Sequence, residues 1–246
     1  VKHRAFPVVS DAKIGLKELS KALGDWKAPN GWYQRAIEEK NKWEEYVAKE
    51  SGPTNQELPS YAHAVGAVYR NSDPSDIVVT AAGGLVGEVV QIWKPKEINT
   101  FETEWGFSCM GYEISGALGI KMAKPDQDVV VFVGDGSYLL QNSDIYSSVL
   151  YDKKLIIVVC DNGGHMVINR LQLAKGGKEY LCNLNAAGAT NLQFVDFETH
   201  AKSMGANAET VKSTSELEAA FKRAKASDKT YVISMKTDGY EWLEGT

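Results

Sequence analysis

Val129-Val130-Val131-Phe132-Val133-Gly134-Asp135-Gly136-Ser137 and Leu155-Ile156-Ile157-Val158-Val159-Cys160-Asp161-Asn162-Gly163-Gly164 decide the fold of this 246-residue chain. Each is an unbroken apolar run, mostly Val and Ile, that stops at glycine combined with Asp or Asn. A strand apolar on every residue is covered on both faces, and such strands belong to parallel sheets flanked by helices. Ile77-Val78-Val79-Thr80, which leads into Ala81-Ala82-Gly83-Gly84, repeats the pattern, and Tyr231-Val232-Ile233-Ser234-Met235 supplies a last strand. Helical segments are expected over 111–123, 143–150, 197–204 and 215–226. The fold class is therefore α/β, a doubly wound, mainly parallel sheet with helices on both faces.

Residues 51–59, polar and bracketed by Pro53 and Pro59, form a linker. Before it, 32–49 read as a helix carrying Tyr33, Ala36, Ile37, Trp43 and Val47 near helical spacing, and 24–31 form a break around Pro29. Residues 5–9 read as a strand, followed by a helix capped by Asp11 and carrying Ile14, Leu16, Leu19 and Leu23. A lone strand and helix bury no core, so residues 1–24 are expected to be the tail of a preceding domain, 25–59 a helix and linker, and 60–246 the α/β domain. With Val1 in place of an initiator Met, the chain reads as a piece of a longer polypeptide.

A net charge of -5 argues against nucleic acid, which needs a basic stripe. No apolar run reaches the roughly 20 residues that span a bilayer, so no membrane role is expected. Cys109, Cys160 and Cys182 make no CxxC pair, which suits a reducing cytoplasm.

In doubly wound sheets, ligands gather at the carboxyl ends of the strands, near the switch in strand order. A βα unit over residues 137–161 returns the chain to a neighbouring strand end and sets Asp135 beside Asn162. One carboxylate and one amide oxygen form a half-shell for magnesium, which takes six oxygens, many from phosphate and water. Gly134 and Gly136 let backbone amides approach phosphate, and Ser137 opens a helix whose amino end favours an anion.

Gly134-Asp135-Gly136 through Asp161-Asn162 resembles the GDG…NN signature of thiamine diphosphate enzymes, with Asp161 in place of the first Asn. The resemblance implies that Asp135 and Asn162 bind Mg2+ through side chains and Gly164 through its carbonyl. The block 104–113, then Gly116-Ala117-Leu118-Gly119, is similar to the segment before that signature in acetolactate-synthase-like enzymes. It implies that Met110 supports the bent cofactor and that the Ser108 carbonyl accepts from its amino group, while Gly83 and Gly84 match a loop that touches the diphosphate. For Met110 alone, ordinary core filling is the other reading.

Within this superfamily the likeness is nearest to the trihydroxycyclohexanedione hydrolases of myo-inositol catabolism. It is carried by Trp93-Lys94-Pro95-Lys96-Glu97, residues 106–113 and Asn169-Arg170-Leu171-Gln172. It weakens over 175–191, and His165 and Met166 replace a Phe and a Gly at positions facing cofactor and substrate. What it implies is a thiamine diphosphate- and Mg-dependent hydrolase that cleaves a C–C bond of a cyclic 1,2-dione, this chain being its cofactor-binding part. The alternatives are an acetolactate-synthase-like enzyme acting on 2-keto acids and a non-catalytic module of a split enzyme. The activating Glu is implied to lie on a pyrimidine domain, supplied by a neighbouring subunit of a homodimer or homotetramer.

His165 is the candidate acid–base group, balanced against a plain loop residue. Glu88, Glu104 and Glu113 are expected to be helix caps or solvated. His3, His63 and His200 make no zinc motif, and Ser108 is no nucleophile elbow, because Met110 stands two residues on.

Overall fold

The computed structural model describes residue 4 and residues 6–186, 188 and 192–245. The chain divides into two compact units, one ending at Glu45 and one beginning at Tyr46. In the first, α1 (Ala12–Leu23) starts where Asp11 accepts from the Ile14 N–H, as the capping residue requires, and none of its residues is buried. The strand expected over 5–9 does not form: residues 6–9 carry no strand pairing, and Ala5 lies outside the described residues, as does His3. An extended segment with no neighbouring strand has no partner for its backbone groups. Helix α2 (Trp32–Glu50) runs through the division point.

The second unit contains α3 (Tyr61–Arg70), β1 (Ile77–Thr80), α4 (Leu85–Ile92), β2 (Phe101–Thr103), α5 (Tyr112–Ala123) and β3 (Val129–Gly134). It continues with α6 (Asp135–Leu140), α7 (Ser143–Leu150), β4 (Ile156–Asp161), α8 (Met166–Ala174), α9 (Phe197–Ser203), β5 (Asn207–Val211), α10 (Thr214–Ala226) and β6 (Tyr231–Lys236). The six strands form one sheet in the order β2-β1-β3-β4-β6-β5. Every pairing is parallel. The chain steps from β1 outward to β2 and then back across to β3, so strand order reverses between β1 and β3.

Alternation along each strand feeds two cores. Val78, Val130, Phe132, Ile156, Val158, Ile233 and Met235 pack with α3, α4 and α10 on one face. Ile77, Val79, Val129, Val131, Val133, Ile157 and Val159 pack with α5, α7 and α9 on the other. This is why the strands read as unbroken apolar runs. Each such buried side chain contributes on the order of 1.5–3 kcal/mol.

The 51–59 linker is tied to this unit. The Ser51 carbonyl accepts from Arg70 at 2.7 Å, and the Pro59 carbonyl from the Asp238 N–H at 2.9 Å. The amino ends of the strands carry an ion cluster. Lys225, at the end of α10, reaches both oxygens of buried Asp76 at 2.7 and 2.6 Å and lies 3.4 Å from Asp128. Asp128 in turn pairs with Lys154 at 2.8 Å.

Candidate functional site

At the opposite, carboxyl, ends of β1, β3 and β4 the loops 81–84, 104–111, 134–137 and 161–164 surround a cavity of about 350 Å³. Gly83, Gly84, Ser108, Met110, Gly134, Asp135, Gly136, Ser137, Asn162, Gly164, His165 and Met166 all line it. These are the residues the sequence singles out, and it is the β1/β3 reversal that opens a crevice for them.

The β3 and β4 loops meet because their strands are paired, Gly134 standing opposite Cys160. Asp135 is buried, and the backbone N–H groups facing it come from Gly136, Gly164 and its own residue. Burial, followed by the neighbouring Asp161 charge, pushes its carboxyl up to about 7. The Asn162 Oδ1 is buried with no hydrogen-bond partner. A buried acceptor without a donor costs on the order of 1–3 kcal/mol. A cation held between Asp135 and Asn162 would satisfy that oxygen and return Asp135 to its ionised form, so this donor set fits a hard divalent ion. Among the described residues there is no group of three or more His, Cys, Asp or Glu that could hold a metal, so a cation here would depend on neutral oxygens beside one carboxylate.

Asp161, the departure from the signature, accepts from the Gly163 N–H at 3.0 Å through one oxygen. Its other oxygen pairs with Lys236 at 2.5 Å, directly across from it on β6. Gly164 sits at φ 146 with the Cys182 carbonyl against the place a Cβ would fill, so only glycine fits there. The next N–H, of His165, donates to that carbonyl at 2.8 Å, and the Leu184 N–H donates to the Gly163 carbonyl at 3.0 Å. Residues 182–184 thus back the 161–164 loop.

His165 is exposed on the cavity rim. A Cβ on Gly136 would lie 2.7 Å from its Cε1 and 3.3 Å from the Met110 Cε, so Gly136 is what lets both side chains close over the β3 loop. Ser108 adopts φ 52, an uncommon backbone conformation for a residue with a side chain.

Two acids are not solvated. Glu88 and Glu113 are fully buried, though Glu113 does cap α5 by accepting from the Gly111 N–H at 2.8 Å, while Glu104 accepts from the Phe107 and Cys109 N–H groups. Burial pushes the Glu113 carboxyl up, against the donors bonded to it. His63 is a capping residue of α3, bonded to Ser60, and His200 bonds Tyr138 at 2.9 Å.

Sequence reasoning missed the apolar wall made by Tyr61, Leu85, Ile168, Leu171 and Trp242. Trp242 meets Tyr61 edge-on at 5.5 Å, and Arg170 lies 5.3 Å over its ring. The cluster of aromatics after the last strand was the available signal. The weakly matching segment 175–191 lies partly outside the described residues. Its Glu179 accepts from Asn169 at 2.7 Å and from Tyr240 at 2.6 Å, joining the segment to α8 and to the residues after β6.

Residues 81–235 match the family described as thiamine pyrophosphate enzyme, C-terminal TPP binding domain. A 3D-(3,5/4)-trihydroxycyclohexane-1,2-dione hydrolase of Halalkalibacterium halodurans is 33% identical over 268 residues, spanning 96% of this chain and 42% of the relative. The protein of the same name from Bacillus subtilis is 32% identical over 267 residues, with the same coverage. The chain thus spans about two fifths of the length of these relatives. The fold is similar to a Rhodococcus jostii thiamine diphosphate-dependent 4-hydroxybenzoylformate decarboxylase, with a TM-score of 0.63 and 18% identity over 78% of this chain and 34% of that one. A benzoylformate decarboxylase from Polynucleobacter necessarius has the same TM-score at 21% identity, over 78% of this chain and 35% of that one. Among the described residues no helix is long and apolar enough to cross a membrane.

Proposed function

We propose, from the premise that this chain belongs to the thiamine pyrophosphate enzyme C-terminal TPP-binding domain family, that it holds thiamine diphosphate and Mg2+ for the hydrolysis of a C–C bond in a cyclic 1,2-dione. The observation that carries the reading is the partnerless Asn162 Oδ1 beside buried Asp135 in the cavity. The names of the relatives support the substrate class; a role in inositol catabolism is part of the same proposal, and three free cysteines fit a cytoplasmic setting.

Asp135, Asn162 and the Gly164 carbonyl would hold the metal, and the N–H groups along the 134–137 loop would face the diphosphate. Met110 and Ser108 would contact the rings. When bound, thiamine diphosphate supplies the carbon nucleophile and electron sink that let a C–C bond next to a carbonyl break. The chain's own part is to bind, orient and shape the pocket, with His165 and Met166 at its mouth. His165 stands where it can carry a proton at the cavity rim. Activation of the cofactor falls to a Glu on a pyrimidine domain of a neighbouring subunit, so the working assembly is a homodimer or homotetramer of the longer protein.

The test supplies the trihydroxycyclohexanedione and pyruvate separately to the full-length enzyme and identifies the products by mass. Ring opening to an acid is the expected result. Acetolactate from pyruvate with no ring opening would replace this reading with a 2-keto acid synthase.

A further inference from the structure

Glu113 is fully buried, yet it does not line the cavity. As an acid in the first turn of α5 it needs only one backbone donor to act as a cap, and it has one: the Gly111 N–H at 2.8 Å. Its other oxygen reaches across to the Ala82 N–H at 3.2 Å, in the loop after β1. The Ser137 side chain, in the first turn of α6, faces the same carboxylate. Ala82 adjoins Gly83, Gly111 adjoins Met110, and Ser137 stands two residues from Asp135. One carboxylate thus bonds two of the four loops that form the cavity and faces a third. Burying a carboxylate costs several kcal/mol unless donors converge on it, and here they face it from three separate segments.

We propose that Glu113 is a positioning residue that locks the 81–84, 108–111 and 134–137 loops into one frame, so that the cofactor meets a preformed site. The inference rests on the function proposed above only for the identity of the ligand. A glutamine has the same shape but one acceptor oxygen, and it would set an NH2 group against a backbone N–H. Glu113→Gln therefore separates charge and acceptor count from packing.

Two measurements on the full-length protein, for wild type, Glu113→Gln and Glu113→Ala, test the proposal. The first is amide hydrogen exchange without ligand. Peptides over 81–85, 107–112 and 135–140 are expected to exchange faster together in both variants, while β4 and β6 keep their protection. The second is calorimetric titration with thiamine diphosphate and Mg2+, where affinity is expected to fall about 10- to 100-fold, the range for losing a residue that orients ligands from behind.

Faster exchange confined to 107–112 would leave Glu113 a simple helix cap and overturn the proposal. Uniform loosening of the whole domain, or failure of both variants to fold, would make it a core-stability residue and also overturn it. So would affinity within twofold of wild type. If the wild-type chain takes up no cofactor, the functional reading fails by itself, and the three-loop exchange pattern still decides whether Glu113 ties the loops.

Discussion

At the amino ends of the strands, buried Asp76 and its neighbour Asp128 share Lys225 and Lys154 at ion-pair distances. At the carboxyl ends, Asp135 is as deeply placed but is faced by backbone N–H groups, and the Asn162 Oδ1 has no partner. The two ends share a sheet and a degree of burial, so burial alone does not explain the difference. The amino end is electrostatically closed and serves stability. The carboxyl end keeps a raised carboxyl and an oxygen without a partner, which the proposed cation would balance.

Breaking each end should therefore give opposite signatures. Lys225→Met leaves Asp76 buried without its ammonium and is expected to cost about 3–5 kcal/mol of stability, read by urea denaturation. Its thiamine diphosphate affinity should stay within about twofold of wild type, since the change in free energy there is near zero. A large loss of affinity with little loss of stability would erase the distinction.

Asp135→Ala should do the reverse. Mg-dependent thiamine diphosphate affinity is expected to fall by at least about 100-fold, close to 2.7 kcal/mol. The midpoint temperature of the ligand-free protein should not drop, because the variant removes a buried charge that lacks a cation. Unchanged metal-dependent affinity in calorimetry would remove Asp135 from the metal set.

Asp161 and Lys236 sharpen the comparison, since they form an ion pair at the site end. Lys236 offsets the Asp161 carboxylate in part, and the remaining charge still helps to raise the Asp135 carboxyl. Lys236→Met leaves the Asp161 carboxylate facing an anionic ligand, and about a tenfold loss of cofactor affinity is expected. Asp161→Asn combined with Lys236→Met should recover most of it. A double variant as weak as the single one would show that the lysine acts by some means other than charge.

The smallest effect lies in the surface pair Glu209–Arg223, bonded at 3.0 and 2.6 Å. The Arg223 guanidinium holds the Glu209 carboxyl below the ordinary range. Its stabilisation is thus complete above the unfolded carboxylate pKa of about 4.3 and fades as pH falls through the lower folded value. For so exposed a pair the gain is under about 1 kcal/mol. Glu209→Gln should lower the melting temperature slightly at pH 7 and not at pH 3, with cofactor binding untouched at neutral pH.

The four interior strands and the paired loops after β3 and β4 were legible because burial on both faces writes itself as an unbroken Val/Ile run. The edge strands were not. β5 (Asn207-Ala208-Glu209-Thr210-Val211) buries only Ala208 and Val211, and β2 has three residues. Helix α3 is buried almost all round, so Tyr61-Ala62-His63-Ala64-Val65 shows no polar face by which to find a helix. Glu113 and Glu88 read as helix caps or solvated acids, and their burial stayed hidden because each also has a partner far off in sequence. Glu113 bonds the N–H of Ala82, and Glu88 that of Leu243. Which acids a fold buries depends on such distant neighbours, and no local pattern records them. The same holds for Trp242, which reaches the cavity from beyond the last strand.

The insertion of β6 between β4 and β5 has a consequence in time. β6 leaves the ribosome after the other five strands of its sheet, yet it lies in the interior of that sheet. Until residue 236 emerges, β4 has a bare edge and β5 has no partner at all. The Thr237 N–H to Asp161 carbonyl bond and the Lys236–Asp161 pair, which brace the loop carrying Asn162, arrive in that same late step. Parallel pairing between strands far apart in sequence is slow to form. A nascent chain therefore completes its core on the β1–β3 side well before the loop carrying Asn162 has a defined shape. The part of the cavity that this loop forms waits for the sixth strand of the sheet.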